Sequence, residues 1–183
     1  MPESRMSPPE SFATARLILR RPRAEDAPLI FATYAQDPEV VRYLTFRPHR
    51  TLQDSHDALE RFEQAWRSGK SYSWLIFRRD REELIGAISA REDQGINLGY
   101  LLARSFWGQG FMSEALGAIV EWAFSNPSIF RVWAVCDLEN AASARLLERN
   151  GFQREGILRK WSLHPNISAV PRDCNCYAKT RPE

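Results

Sequence analysis

The sequence predicts one mixed α/β (α+β) domain, on three observations. Strand-like runs alternate with helix-like runs along most of its 183 residues. That length is enough for one sizeable core and short for two domains. No internal repeat or low-complexity block interrupts the pattern. Residues 1–13, with Pro2, Pro8, Pro9 and scattered charges, read as a flexible tail, and 14–183 as the domain.

A strand over 17–20 opens the domain, followed by a helix over 26–34 and a helical segment over 39–43. Thr51 and Asp54 have capping-box spacing and start a helix that runs through Trp66 and stops at Gly69. Strands over 72–78 and 84–91 flank the charged turn Arg79-Asp80-Arg81-Glu82. A strand over 96–102 leads into a helix over 113–124, and a strand over 130–136 into a helix opened by Asn140. Strands over 152–161 and 173–179 close the chain around an insert, 162–172, that carries Pro165 and Pro171.

Composition narrows the class. A net charge of +2 with no Lys/Arg stripe argues against nucleic acid, and Arg20-Arg21-Pro22-Arg23, the densest basic spot, reads as a solvated strand end. No apolar run approaches the roughly 18 residues of a membrane span, and the N-terminus lacks a signal peptide's apolar region, so the expected compartment is the cytoplasm. Three cysteines are not a disulfide framework. Cys174 and Cys176 share a strand face, with His164 as a conceivable third ligand but no second ligand pair, so buried or half-buried thiols are expected rather than a metal.

Chemistry concentrates in two segments. In Ser105-Phe106-Trp107-Gly108-Gln109-Gly110-Phe111-Met112-Ser113-Glu114-Ala115, two glycines one residue apart sit at a strand-to-helix junction. The first helical turn presents unpaired N–H groups there, backed by the positive end of the helix dipole. That suits a pyrophosphate, and a plain tight turn is the competing reading. The second segment, Asn140-Ala141-Ala142-Ser143-Ala144-Arg145-Leu146-Leu147-Glu148-Arg149-Asn150-Gly151-Phe152, follows a β-rich run and has Asn140 as N-cap and Gly151 as terminator. By itself it is a well-capped core helix.

This pair, in this order and at this separation, resembles the GNAT N-acetyltransferase superfamily, and within it the branch of ribosomal-protein N-terminal (alanine/serine) acetyltransferases. Further pieces follow in the same order: Arg16 to Arg20 with Glu25-Asp26-Ala27, Asp37-Pro38-Glu39-Val40 with Tyr43-Leu44, Leu84-Ile85-Gly86, Leu98-Gly99-Tyr100 and Glu155 to Arg159. The resemblance implies a central mixed, mostly antiparallel twisted sheet flanked by helices on both faces. It implies acetyl-CoA as cofactor and a primary amine as acceptor, in a monomer or homodimer.

Residue by residue, the resemblance places the pyrophosphate of coenzyme A on Trp107, Gly108, Gln109, Gly110 and Phe111 and the helix start at Met112 and Ser113. The pantetheine arm would lie along main-chain groups of Tyr100, Leu101 and Leu102, with Asn140 on its far side. A backbone N–H of that strand would polarise the thioester oxygen. Two positions depart from the pattern. Ser105 stands where many members carry Gln or Arg, with Arg104 beside it as a substitute. Leu147 stands where many have a proton-donating tyrosine, which leaves Ser143, as in the N-terminal acetyltransferase branch, as candidate acid; filling the first helical turn is its alternative role.

No base stands out. Asn97 occupies a position that is often acidic in related enzymes, leaving Glu92, Asp93, Asp137 and His164 as candidates. A missing strong base favours an amine of low pKa: an α-amine, near 7.7–8.0, is about a tenth neutral at pH 7, and a lysine amine almost wholly charged. Desolvation within a site could offset that difference.

The expected acceptor pocket is lined by 43–51, including Phe46, Arg47 and His49, and by 161–171; Trp161 could equally be core. The leading expectation is acetylation of a protein or peptide N-terminus. Acetylation of a small-molecule amine (polyamine, antibiotic, amino-acid derivative) is the alternative, and a non-catalytic acyl-CoA-binding module the third. A P-loop nucleotide enzyme is disfavoured because no Lys-Ser/Thr pair follows Gly108 and Gly110.

Overall fold

In the computed structural model, which describes residues 8–182, alternating apolar residues build one twisted sheet. Its strands are β1 (Ser11–Ala13), β2 (Leu17–Arg20), β3 (Tyr72–Arg78), β4 (Glu83–Glu92), β5 (Ile96–Leu102), β6 (Arg131–Asp137), β7 (Gln153–Ser162) and β8 (Arg172–Thr180). Their order is β1-β2-β3-β4-β5-β6-β8-β7, antiparallel throughout except for a parallel β5–β6 contact. The helices are α1 (Ala27–Ile30), α2 (Pro38–Val41), α3 (Leu52–Ser68), α4 (Phe111–Ser125) and α5 (Ala141–Arg149).

The strand alternation feeds two layers. On one face Trp74 and Ile76 of β3 join Leu116, Ile119 and Val120 of α4. On the other, Leu75 and Phe77 meet Ala27, Ile30 and Leu59 of α1 and α3. Helices therefore cover both faces, as expected. A smaller cluster, Trp133, Cys176 and Ala178, lies on the face of β6 and β8 turned away from α5.

Three expectations need correction. The tail does not extend to residue 13: Phe12 inserts edge-on between Trp74 and Trp122 (ring centroids 5.4 and 6.1 Å), and Trp74 Nε1 donates to Pro9 O at 3.0 Å. Burial of one aromatic ring and a satisfied indole order β1; the rest of the expected tail, 1–7, lies outside the described residues. The helix over 26–34 is a 3₁₀ turn (Ala24–Asp26), α1 and a π turn (Phe31–Ala35) in succession. The basic run is not a solvated strand end. Arg20 grips buried Asp26 through both guanidinium nitrogens (2.6 and 2.8 Å), and Arg21 bridges Glu10 and Glu63 over the Trp66 ring.

Two irregularities shape the cleft. Ile76 pairs with Gly86 and Phe77 with Leu84, so Ile85 is an extra residue that bulges β4 and sharpens its twist. Gly86 sits where β5 passes close: a Cβ there would lie 2.3 Å from Leu101 O. Beyond this bend β5 and β6 part, because their pairing is confined to Ile96↔Val132 and Asn97↔Trp133. The opening faces the N-termini of α4 and α5.

Candidate active site

The glycine loop has the geometry an anion needs. Gly108 and Gly110 are left-handed (φ 75° and 78°), which turns the chain from β5 into α4. Glu114 N reaches back to Gly110 O, so the N–H groups of Phe111, Met112 and Ser113 precede the helix's own hydrogen-bond ladder. A Cβ on Gly108 would meet nothing within 4 Å, leaving the backbone open to a ligand. A cavity of about 320 Å³ lies against this turn, and Arg145 and Arg149 of α5 line its far wall. Those arginines add positive charge that sequence reasoning missed, although their i,i+4 spacing after the Asn140 cap was a usable signal.

The ordered N-terminal hairpin braces the loop. Glu114 accepts from Thr14 Oγ1 (2.6 Å), Arg16 N (2.7 Å) and Arg16 Nε (2.6 Å), while Arg16 donates to Gln109 O (3.1 Å) and stacks on Phe111. Burial pushes the Glu114 carboxyl up, but the hydrogen bonds from Thr14 and Arg16 outweigh it and hold it below its ordinary value. Gln109 turns its amide to Ser105 O (2.8 Å) and lies outside both cavity linings on this side of the cleft. The Phe111 side chain is buried in the core, so only its N–H can serve a ligand. Arg104 is not a substitute for the missing loop side chain: it leans to Asp37 (3.4 Å) at the start of α2.

Along β5 the ladder phase decides which groups reach the cleft. Ala103 N donates to Ile85 O, and Leu102 sits opposite Gly86. Leu101 therefore spends its N–H and C=O on β4, while Tyr100 and Leu102 turn theirs toward the gap left by β6. Of the three residues expected to present main-chain groups, Leu101 supplies wall only. Trp107 Nε1 caps Leu102 O at 2.8 Å. A cavity of about 470 Å³ brings together Tyr100, Leu101, Leu102, Trp107, Gly108, Met112, Asn140 and Ser143 of the expected set.

On its α5 side, Asn140 Oδ1 accepts from Ser143 N (3.1 Å) and caps the helix. Ser143 Oγ lies 2.8 Å from Tyr100 Oη. Burial pushes the Tyr100 hydroxyl above its usual range, against an opposing pull from Ser143, so it stays protonated. Burial likewise pushes the neighbouring Cys136 thiol up to about 11. Leu147 is fully buried in the core. A tyrosine thus reaches α5 after all, from β5 and one turn earlier, through a contact 43 residues apart in sequence that no local pattern reveals.

None of the four candidate bases reaches the cavity. Glu92 and Asp93 sit at the opposite end of β5 from Tyr100, where Asp93 O accepts from Trp133 Nε1 (2.6 Å). His164 is buried against Cys174 Sγ (3.7 Å) and Asp137 (3.9 Å). Asp137 is buried under Arg172, which grips both of its oxygens (2.5 and 3.1 Å) and also reaches Glu139 (2.9 Å). The carboxylates on the cavity wall are Glu39 and Glu139, neither of them among the expected bases. Glu139 is held by Arg172. Among the described residues, Glu39 has no charged partner.

The Asp137–Arg172 pair makes stability pH-dependent. Burial raises the Asp137 carboxyl, but hydrogen bonds from Arg172 and from Glu139 N more than compensate, leaving it below its ordinary value. A depressed carboxylate contributes stability that is complete above its unfolded pKa of about 3.9 and lost as pH falls through the folded value. Arg172→Met strands a buried charge and is expected to cost about 3 kcal/mol at pH 7, or roughly 6–12 °C in Tm. The gap between variant and wild-type Tm should close below about pH 4 as Asp137 protonates. A gap independent of pH, followed by circular dichroism, would refute this account.

Beyond Glu39 the cleft continues. Asn166 Nδ2 donates to Val41 O (2.7 Å) and Phe46 O (2.8 Å), docking the 162–172 insert on the segment after α2. Between them lies a second cavity of about 560 Å³, lined by Arg47, Pro48, Pro165 and Asn166 and sharing Glu39 and Arg42 with the first. Arg47 thus stands where expected. His49 instead bonds Ser55 Oγ (2.7 Å) and stacks near Phe46, and Trp161 is half exposed rather than core.

Fold and site define the class, and the comparisons agree. Residues 16–153 match the acetyltransferase (GNAT) domain family, to which the chain belongs. It is an acetyltransferase. Among its relatives is the uncharacterized N-acetyltransferase YoaA of Bacillus subtilis (strain 168), 34% identical over 92% of this chain and 96% of that protein. Another is the ribosomal-protein-serine acetyltransferase of Escherichia coli (strain K12), 32% identical over 61% of this chain and 62% of its own length. The fold matches the microcin C7 self-immunity acetyltransferase MccE, solved with acetyl-CoA and AMP, at a TM-score of 0.83 and 21% identity, covering 92% and 94% of the two chains.

Proposed function

We propose that the protein moves the acetyl group of acetyl-CoA, its cosubstrate, directly to the α-amine of a protein or peptide N-terminus. The observation that carries this is the continuation of the Ser143 cavity past Glu39 into a second cavity with exposed walls. An acceptor filling both must be extended, and its far end can run on into solvent. The ribosomal-protein-serine acetyltransferase among the relatives supports the same reading.

The residues divide the work as follows. The N–H groups of Phe111, Met112 and Ser113 hold the pyrophosphate, with Arg145 and Arg149 facing it. Tyr100 and Leu102 hold the pantetheine arm in the β5–β6 gap. Asn140 has committed its side-chain oxygen to the helix cap, so only its amide nitrogen can touch the arm. A free N–H of Tyr100 or Leu102 polarises the thioester carbonyl, in a gap where no other strand competes for it. Either hydroxyl of the Tyr100–Ser143 pair can donate; with Tyr100 as donor, the serine proton is free to turn toward the leaving sulfur. Glu39 attracts the incoming ammonium; because no buried base lines the site among the described residues, water takes the proton, which an α-amine of pKa near 8 permits.

The test is thiol release from acetyl-CoA against peptides with free N-termini, polyamines, aminoglycosides and amino acids, with calorimetric CoA binding alongside. Peptide turnover is expected. Turnover confined to small amines would replace the acceptor, and tight CoA binding with no turnover on any amine would overturn the reading.

A further inference from the structure

The second cavity carries two arginines to which the reaction as proposed gives no role. Its shared wall holds Glu39 and Arg42, three residues apart along one turn of helix, and Arg47 stands farther out. All three are exposed, and among the described residues none pairs with an opposite charge. Their acidic neighbours are already paired: Asp37 with Arg104 and Glu139 with Arg172. Arg42 stacks over Tyr43 (5.5 Å), whose hydroxyl donates to Glu139 O (3.4 Å), which holds Arg42 at the junction of the cavities. Arg47 sits between Phe46, whose carbonyl Asn166 clamps, and Pro48, whose ring restricts the chain. Glu39 and Arg42 stand together at the junction of the two cavities, and Arg47 stands beyond it in the second.

We propose that this groove selects peptide acceptors with an acidic side chain at the second or third position. The inference rests on the peptide reading above. With the amine passing Glu39 toward the thioester, an extended chain advances about 3.3–3.6 Å per residue. That carries its second and third side chains past the junction at Arg42 and toward Arg47. A carboxylate there gains two cations, and a lysine there meets repulsion. Each exposed pair is worth little, about 1.5- to 5-fold in binding. Two cations acting together, with the sign reversed between acidic and basic peptides, give an expected contrast of about tenfold in kcat/KM. It should shrink as salt screens the groove.

The experiment uses the full chain, saturating acetyl-CoA and hexapeptides that begin with the same serine and carry Asp, Ala or Lys at positions two and three. Phosphoethanolamine serves as a small amine with an anion of its own. Asp peptides should exceed Lys peptides about tenfold at low salt, and Arg47→Glu should erase or invert the order while calorimetric CoA affinity is retained. Equal kcat/KM for the three peptides would overturn the charge selection and leave peptide acetylation standing, as would an order unaffected by both Arg47→Glu and Arg42→Glu. Turnover of phosphoethanolamine with none on any peptide would overturn both readings and assign the two arginines to a phosphate.

Discussion

Gly110→Val is expected to weaken CoA binding about 100-fold or more while the protein still folds. Gly110 is left-handed at φ 78°, a conformation that a β-branched side chain adopts only with strain of about 1–3 kcal/mol or more. Space is not the obstacle: a Cβ would approach nothing nearer than an Arg16 nitrogen at 3.5 Å. Relief must come from rotating the peptide that aims the first N–H groups of α4, and those are the groups proposed to hold the pyrophosphate. The Arg16–Glu114 brace holds α4 itself in place, so the rotation is confined to the loop. Gly110→Ala should fall between wild type and Val. Calorimetry with CoA measures the affinity and a thermal melt the fold, where a loss of a few degrees is expected. An unchanged affinity in a folded Val variant would place the pyrophosphate elsewhere.

Ser143→Ala is expected to lower kcat about 100-fold with CoA affinity unchanged. The serine stands in the first turn of α5, 2.8 Å from a tyrosine hydroxyl kept protonated by burial. Without it the leaving sulfur loses its proposed proton donor and the Tyr100 hydroxyl loses its partner. Tyr100→Phe keeps the ring in the core and removes only the orientation of the serine proton, so a smaller loss, about tenfold, is expected. A structural role for Ser143 would instead appear as a lower Tm with normal kcat. Ser143→Thr, which retains the hydroxyl, should restore part of the rate. Wild-type kcat in Ser143→Ala would remove the serine from the chemistry.

Much of this architecture was legible beforehand. Strands 72–78 and 96–102 were located to the residue because their short apolar-rich runs sit between clear turn signals. The α3 capping box from Thr51 to Asp54 is a local hydrogen-bond geometry and forms as read. β1 was missed: three residues carry no period, and Phe12 is ordered by Trp74 and Trp122, which lie 62 and 110 positions away. The fourfold list of bases failed for a related reason. Burial and pairing, rather than residue type, removed Asp137 and His164, and the divergence of β5 from β6 put the opening at the end remote from Glu92 and Asp93.

By itself the sequence determined what contiguous residues determine: the alternation of strands and helices, the two glycines at a strand-to-helix turn, and the asparagine that caps α5. Period, capping and left-handed turns are short-range properties of the backbone, so they can be read from neighbours along the chain. The tertiary structure alone decided which side chains meet. It brought Tyr100 to Ser143, turned the main-chain groups of Leu101 into β4, clamped the insert to α2 through Asn166, and left Glu39, Arg42 and Arg47 along one groove. Those outcomes depend on strand register, a bulge at Ile85 and the packing of distant segments, where many weak contacts act together and no short stretch of sequence records the result.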